Sequence, residues 1–288
     1  MHAQRPSSTA ALVACMRALA DDGFTTTRGF RDPIAQRLLP RRWSVVRMLM
    51  RQALTRARPA QRSRAAAQVD AVALRTLAID ERLEAALARG VRQVVILGAG
   101  LDTRAFRLPS LREADVFEVD HPRTQATKAR ASAALPRLAR SLTFVPVDFE
   151  HASLGARLAA AGHRRADATA WVWEGVVMYL TAASRRATLG ELAAASAPGS
   201  VLLLHYNEPA EPSPQTRAMN ALLWLWSEPQ VGQLPRAAMA AELRDAGLAV
   251  AEDTGPAEWI QRHGAVPPEG AIARQSRLLV AHAGGGRP

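Results

Sequence analysis

Cysteine occurs once in the 288 residues, at Cys15, so the chain forms no internal disulfide and offers no cysteine cluster for a metal. That usage fits a reducing cytoplasm. Aromatic residues are scarce at 5%, and lysine is nearly missing: Lys128 is the only one. The net charge of +11 is therefore almost entirely arginine. An alanine- and arginine-rich, lysine-poor composition is what a GC-rich genome yields whatever the function, and the basic residues are spread out apart from a cluster between Arg37 and Arg64. A dedicated nucleic-acid site is not expected on this basis. No run approaches 18 uncharged apolar residues, which excludes a membrane span, and the N-terminal apolar stretch is too short for a signal peptide.

With 48% apolar residues the chain has enough to bury a large core. The first ninety residues read as helices: residues 8–20, a short segment around RDPIAQRLLP, the basic amphipathic WSVVRMLMRQAL (43–54), and a long helix through AQVDAVALRTLAIDERLEAALARG (67–90) with Gly90 as its C-cap. The amphipathic segment 43–54 is expected to lay its apolar face on the core in preference to a membrane. From residue 91 the pattern changes to strands alternating with helices. RQVVILG (92–98), ADVFEVD (114–120), LTFVPVDF (142–149), ATAWVWEG (168–175) and GSVLLLHY (199–206) are apolar, partly β-branched runs, and VAEDTG and QSRLLVAHA add two later strands. Such alternation predicts an α/β, doubly wound, mostly parallel sheet. The proline-dense stretch 207–235 interrupts it and reads equally as a lid over a ligand cleft or as a surface loop anchored by tryptophans.

In open parallel sheets ligands bind beyond the carboxyl ends of the strands, so residues there carry most information. The first strand ends in Gly98-Ala99-Gly100, a turn free of bulky side chains that is expected to expose backbone N–H groups. The second ends at Asp120, placed to accept hydrogen bonds from ribose hydroxyls. The third ends at Asp148-Phe149, an acceptor for an adenine amino group beside a ring to lie on it, and the fourth ends at Glu174. Any one of these acids could be a helix N-cap; three at successive strand ends is harder to attribute to caps. A dinucleotide fingerprint has a third glycine where this chain has Thr103, and Asp102 would repel a pyrophosphate. S-adenosylmethionine has no phosphate and brings a sulfonium, an ammonium and one carboxylate. That cargo suits an acid-rich rim with a single arginine, and an NAD-dependent oxidoreductase is the rival reading.

The segments VVILGAGLDTRAFRL, FEVDHPRTQATK, FVPVDFE and WVWEGVVMYLT resemble, in order and spacing, the leucine carboxyl methyltransferase family. The resemblance covers roughly residues 8–206 and extends to the C-terminal third only in topology. It implies a Rossmann-like class I methyltransferase: a mostly parallel seven-stranded sheet flanked by helices, with an N-terminal helical cap over 1–90, a core over 91–288 and a lid insertion over 207–235. It implies S-adenosyl-L-methionine as cofactor, with Arg75 holding the methionyl carboxylate and Gly98, Ala99 and Gly100 forming the turn. Asp120 then serves the ribose, Asp148 and Phe149 the adenine, and Glu174 the methionyl ammonium.

Asp102 and Arg104 match the family turn and read as a structural pair. Family enzymes methylate carboxylates, which need no general base, and the acceptor expected here is a small metabolite, of polyketide or other secondary metabolism. Arg28 and Arg31 in TTTRGFRDP are candidate carboxylate ligands, with Tyr179 and His205 as candidate acceptor contacts. Two alternatives stay open: a phenol or alcohol acceptor with His205 as base, and a non-catalytic S-adenosylmethionine-binding protein. The resulting expectation is a cytoplasmic monomer or homodimer with neither nucleic acid nor membrane as partner.

Overall fold

The computed structural model describes residues 7–148, 153–209, 221, 231–265 and 275–284. Five of its strands are parallel: β1 (Gln93–Leu97), β2 (Asp115–Asp120), β3 (Ser141–Pro146), β4 (Thr169–Trp173) and β5 (Val201–Asn207). β6 (Leu248–Thr254) and β7 (Ser276–Ala283) complete a seven-stranded sheet of order β3-β2-β1-β4-β5-β7-β6, in which β7 runs antiparallel to both neighbours. The strand order reverses between β1 and β4, and that switch point is where an open sheet of this kind leaves a crevice.

Central strands covered on both faces read as unbroken apolar runs. β1, β4 and β5 are accordingly buried at every residue. Alternation along each strand sends Val94 and Ile96 to one face and Val95 and Leu97 to the other. The first face is covered by the N-terminal helices α1 (Ser8–Leu19), α2 (Ala35–Leu38), α3 (Arg41–Arg56) and the 30-residue α4 (Pro59–Ala88), which share one apolar cluster with it. Gly90, with φ of +99°, ends α4 as the sequence predicts. On the second face, Trp171 and Trp173 are fully buried with Leu202, Leu204 and Tyr206, under α7 (Leu154–Ala160), α8 (Ala182–Ala194) and α9 (Arg236–Asp245). The remaining helices are α5 (Arg104–Arg107), α6 (Pro122–Ser132) and α10 (Pro256–His263).

Two expectations are corrected. β3 ends at Pro146, earlier than residue 149, because β2, its one neighbour in the sheet, ends at Asp120 opposite Pro146; Val147 N makes the last bond, to Asp120 O at 2.9 Å, and Asp148 lies just past it. The second correction concerns α3, whose only buried residues are Trp43 and Leu54, so most of its apolar side chains do not face the core. Phe149 and most of the expected lid 207–235, namely 210–220 and 222–230, lie outside the described residues. Among the described residues no helix is long and apolar enough to cross a membrane.

One ion pair locks α8 to α9. The buried Arg185 donates from Nε and Nη2 to Glu242 at 2.6 and 2.8 Å. These hydrogen bonds hold the Glu242 carboxyl below its ordinary value of 4.5. Replacing Glu242 by alanine strands the Arg185 charge and is expected to cost about 3 kcal/mol in chemical denaturation. Because the folded carboxyl titrates below the unfolded one, this stabilisation is present above pH ~4.5 and fades as acid protonates Glu242. The variant is expected to lose correspondingly less stability on acidification.

Candidate functional site

The turn after β1 is built without room for side chains. Gly98 has φ of +63° and Gly100 +48°, and a Cβ on Gly98 would stand 2.2 Å from Val176 Cγ2. The expected row of exposed N–H groups is not present. Ala99 N donates to Val119 O at 3.0 Å and Gly100 N donates to Asp120 Oδ2, so the turn is tied to the end of β2. His121 N donates to the other Asp120 oxygen at 2.6 Å. Burial pushes the Asp120 carboxyl up, against the lowering effect of these two amides. Each carboxylate oxygen takes one amide, so each keeps a lone pair for a further donor.

The helix that follows the turn, α5, is four residues long, and its first amide is already capped: Arg104 N donates to Asp102 Oδ1 at 2.7 Å. It is therefore not the long, open helix N-terminus on which a pyrophosphate rests. Asp102 and Arg104 form the expected pair, also through Arg104 Nη1 and Asp102 Oδ2. Arg104, fully buried, reaches further. Its Nε donates to Asp80 Oδ1 on α4 at 2.6 Å, and its Nη2 donates to Glu174 Oε2 at 2.8 Å. One planar guanidinium thus joins the cap, the turn and the end of β4, a task that needs its three-sided donor geometry.

Glu174 is shared. Its Oε1 accepts from Arg75 Nε at 2.8 Å, across from α4. Burial opposes its ionisation, but Arg104 and then Arg75 overcome this and hold the Glu174 carboxyl well below the usual range. Arg75 has no other ion pair or hydrogen bond among the described residues, which leaves both terminal nitrogens of its fork available. A cofactor with one carboxylate and two cationic centres would meet here a guanidinium with free donors, ionised Glu174 and the Asp120 acceptors. The donor set fits S-adenosylmethionine.

His205 on β5 lies within the same cluster but is fully committed. Its Nδ1 accepts from Gly175 N at 3.2 Å, which leaves the proton on Nε2, 2.8 Å from Ser276 Oγ. Burial, reinforced by Arg75, pushes the imidazole down to about 3, so the ring is neutral at physiological pH. Neither nitrogen offers a free lone pair, which argues against the base role considered from the sequence. Tyr179 is half-buried on a short 3-10 turn, Val177–Tyr179, beyond β4. Arg28 and Arg31 are exposed, and neither side chain forms an ion pair among the described residues; Arg28 N donates to His263 O at 2.9 Å. Asp148 is half-buried beside the end of β3.

Several residues that assemble the site were not singled out in the sequence. Buried Asp70 of α4 accepts from Thr26 N at 2.8 Å, Thr26 Oγ1 at 2.6 Å and Thr27 Oγ1 at 3.1 Å, and also binds Thr25. It fixes the loop that carries Arg28 and Arg31. Arg17 Nη2 donates to Leu101 O at 2.6 Å, Arg107 Nη2 lies 2.6 Å from Asp80 Oδ2, and Asp32 accepts from Thr103 Oγ1 at 2.8 Å. The available signal was charge on an apolar stripe: Asp70 and Asp80 share the helical face of buried Ala73 and Leu74.

Comparison with known proteins fits this geometry. A family model described as leucine carboxyl methyltransferase matches residues 10–193. A Mycobacterium avium protein provisionally named an S-adenosyl-L-methionine-dependent methyltransferase is 36% identical over 206 residues, 70% of this chain and 67% of that protein. A Parafrankia protein with the same kind of name is 42% identical over 136 residues, 46% of this chain and 43% of the relative. The match thus spans less than half the length of that relative. A solved structure from Thermobifida fusca, provisionally described as a methyltransferase, shares the fold at a TM-score of 0.61 and 14% identity, covering 96% of this chain and 95% of the other.

Two substitutions test the construction. Arg104→Lys leaves a point charge where three carboxylates need a fork, and a loss of at least ~3 kcal/mol in unfolding free energy is expected. Gly98→Ala is expected to cost roughly 1–3 kcal/mol, with the steric part regained when Val176→Ala is added. Additive effects in that double variant would contradict the contact.

Proposed function

The chain belongs to the leucine carboxyl methyltransferase family, and from that premise we propose that it transfers a methyl group from S-adenosylmethionine to a carboxylate oxygen of a small molecule. The observation that carries the reading is the group formed by Arg75, Glu174 and Asp120 around a capped glycine turn. Bound S-adenosylmethionine supplies an electrophilic methyl group on a sulfonium, which becomes a neutral thioether once the methyl has left.

The chain's own residues then have defined tasks. The free end of the Arg75 fork takes the methionyl carboxylate, and Glu174, kept ionised by Arg104, faces the ammonium. Asp120 holds the ribose with the lone pairs its amide partners leave. Asp148 receives the adenine amino group, and Phe149 beside it in sequence supplies the ring face. These placements order the reacting atoms and need no proton to move, since a carboxylate is already the nucleophile at neutral pH.

On the acceptor side, Arg28 and Arg31, which form no ion pair among the described residues, sit on a loop that Asp70 fixes to α4, about one turn before Arg75. Tyr179 contributes a further acceptor contact. Commitment of both His205 nitrogens favours a carboxylate over a phenol or alcohol, whose proton would need a base. His205 is thereby given a positioning role, holding the Gly175 turn beneath Glu174.

Calorimetric titration with S-adenosylmethionine is expected to give saturable binding that Asp120→Ala weakens by about tenfold or more, each tenfold being ~1.4 kcal/mol; near-wild-type affinity would remove Asp120 from the site. With methyl-labelled S-adenosylmethionine and a small-molecule extract, the label is expected to enter an ester that mild alkali cleaves to volatile methanol. Alkali-stable label would point to an ether and overturn the carboxylate reading. Asp70→Asn is expected to spare cofactor affinity while raising the acceptor KM.

A further inference from the structure

Helix α3 presents the wrong face to the protein. Val45, Met48 and Leu49 are 51%, 47% and 55% exposed, although spacings of three and four residues put them together in one stripe. The sixteen residues of the helix bury only Trp43 and Leu54, on the opposite side. Singly exposed apolar residues need no explanation, but a clustered stripe in the middle of a helix does.

The charge around the stripe is one-sided. From Pro33 to Val69 the chain has nine arginines and no Asp, Glu or Lys. Arg47 is taken by Asp22, and Arg51 Nε lies 3.8 Å from the same carboxylate. Arg41 and Arg42 at one end of the helix and Arg56 at the other are exposed and have no ion-pair partner among the described residues. The outward line of α3 therefore runs arginine, apolar middle, arginine over about 22 Å at 1.5 Å per residue.

We propose that this face of α3 docks on an anionic lipid bilayer, lying flat with Val45, Met48 and Leu49 at the acyl boundary and Arg41, Arg42 and Arg56 among the headgroups. An interfacial helix combines these two features, an apolar strip and basic residues that reach past it. A second copy of the chain fits poorly: a symmetric contact through the stripe would set arginine ends against arginine ends with no acid between them. Nucleic acid would use the arginines but leave the apolar strip exposed to water. None of Val45, Met48, Leu49, Arg41, Arg42 and Arg56 is among the groups proposed above for cofactor or acceptor, so the docking does not depend on that reaction.

Co-sedimentation of the full chain with vesicles of phosphatidylglycerol and phosphatidylcholine, against phosphatidylcholine alone, reads the surface directly. Pelleting with the anionic vesicles only is expected. It is expected to be lost in Val45→Glu/Leu49→Glu and weakened roughly fivefold by each of Arg41→Gln and Arg56→Gln. All four positions are exposed, so the thermal midpoint is expected to stay that of the wild type. Absence of pelleting, or pelleting that survives Val45→Glu/Leu49→Glu, would overturn the proposal. So would equal binding to duplex DNA or polyglutamate that these two substitutions leave unchanged, which marks a plain anion patch. A dimer in sedimentation that Leu49→Glu dissolves would instead assign the face to a second copy.

Discussion

The Arg104 guanidinium is the constraint on which the site depends. It is buried, and it meets Asp80 from the helical cap, Asp102 from the glycine turn and Glu174 from the end of β4. Taking such charges out of water costs several kcal/mol each, and only dense mutual pairing offsets that. Here the pairing extends outward. Arg107 shares Asp80, and Asp32 joins Arg17 to Thr103 and thereby α1 to the turn. Four arginines and four carboxylates, Arg75 included, leave the cluster balanced. The arrangement specifies more than it stabilises: the fork admits one relative placement of cap, turn and strand.

That placement sets the chemistry. Arg104 keeps Glu174 ionised while Glu174 holds Arg75 by its Nε, so one carboxylate orients the arginine and, in the proposed function, faces the cationic end of the cofactor. Asp120 ties Gly100 to the end of β2, which makes the turn rigid and occupies an amide that a phosphate would need. His205, neutral and bonded at both nitrogens, braces the Gly175 turn. Under the proposed function such a site works by alignment and charge complementarity, which is all that methyl transfer to an already anionic oxygen would require.

Much of this was legible in the sequence because it depends on local pattern. Apolar β-branched runs fixed β1, β4 and β5, and the residues closing those runs are the ones that gather at the switch point. Glycine at positive φ is likewise a local demand, met at Gly98 and Gly100. What could not be read is pairing across long separations. Nothing in the sequence around Asp80 says that it binds Arg104, and a lone histidine at a strand end does not reveal that Gly175 and Ser276 occupy its nitrogens. The stripe of α3 was misjudged for a related reason. Periodicity states that a helix has an apolar side, but not which way that side faces once Trp43 and Leu54 have anchored the other.

The central claim is that the Arg104 cluster, beyond filling the interior, presents the cofactor residues. Asp80 tests it most directly, because it bonds Arg104 and Arg107 from behind and belongs to none of the groups assigned to the cofactor. The measurement is the calorimetric affinity of Asp80→Asn for S-adenosylmethionine, taken at a temperature where circular dichroism shows the variant folded. Asparagine keeps the shape but removes a charge, so Arg104 and Glu174 shift relative to Arg75. Binding about tenfold weaker than wild type, ~1.4 kcal/mol, is the predicted result. Wild-type affinity in the folded variant would contradict the account and reduce the cluster to a structural plug.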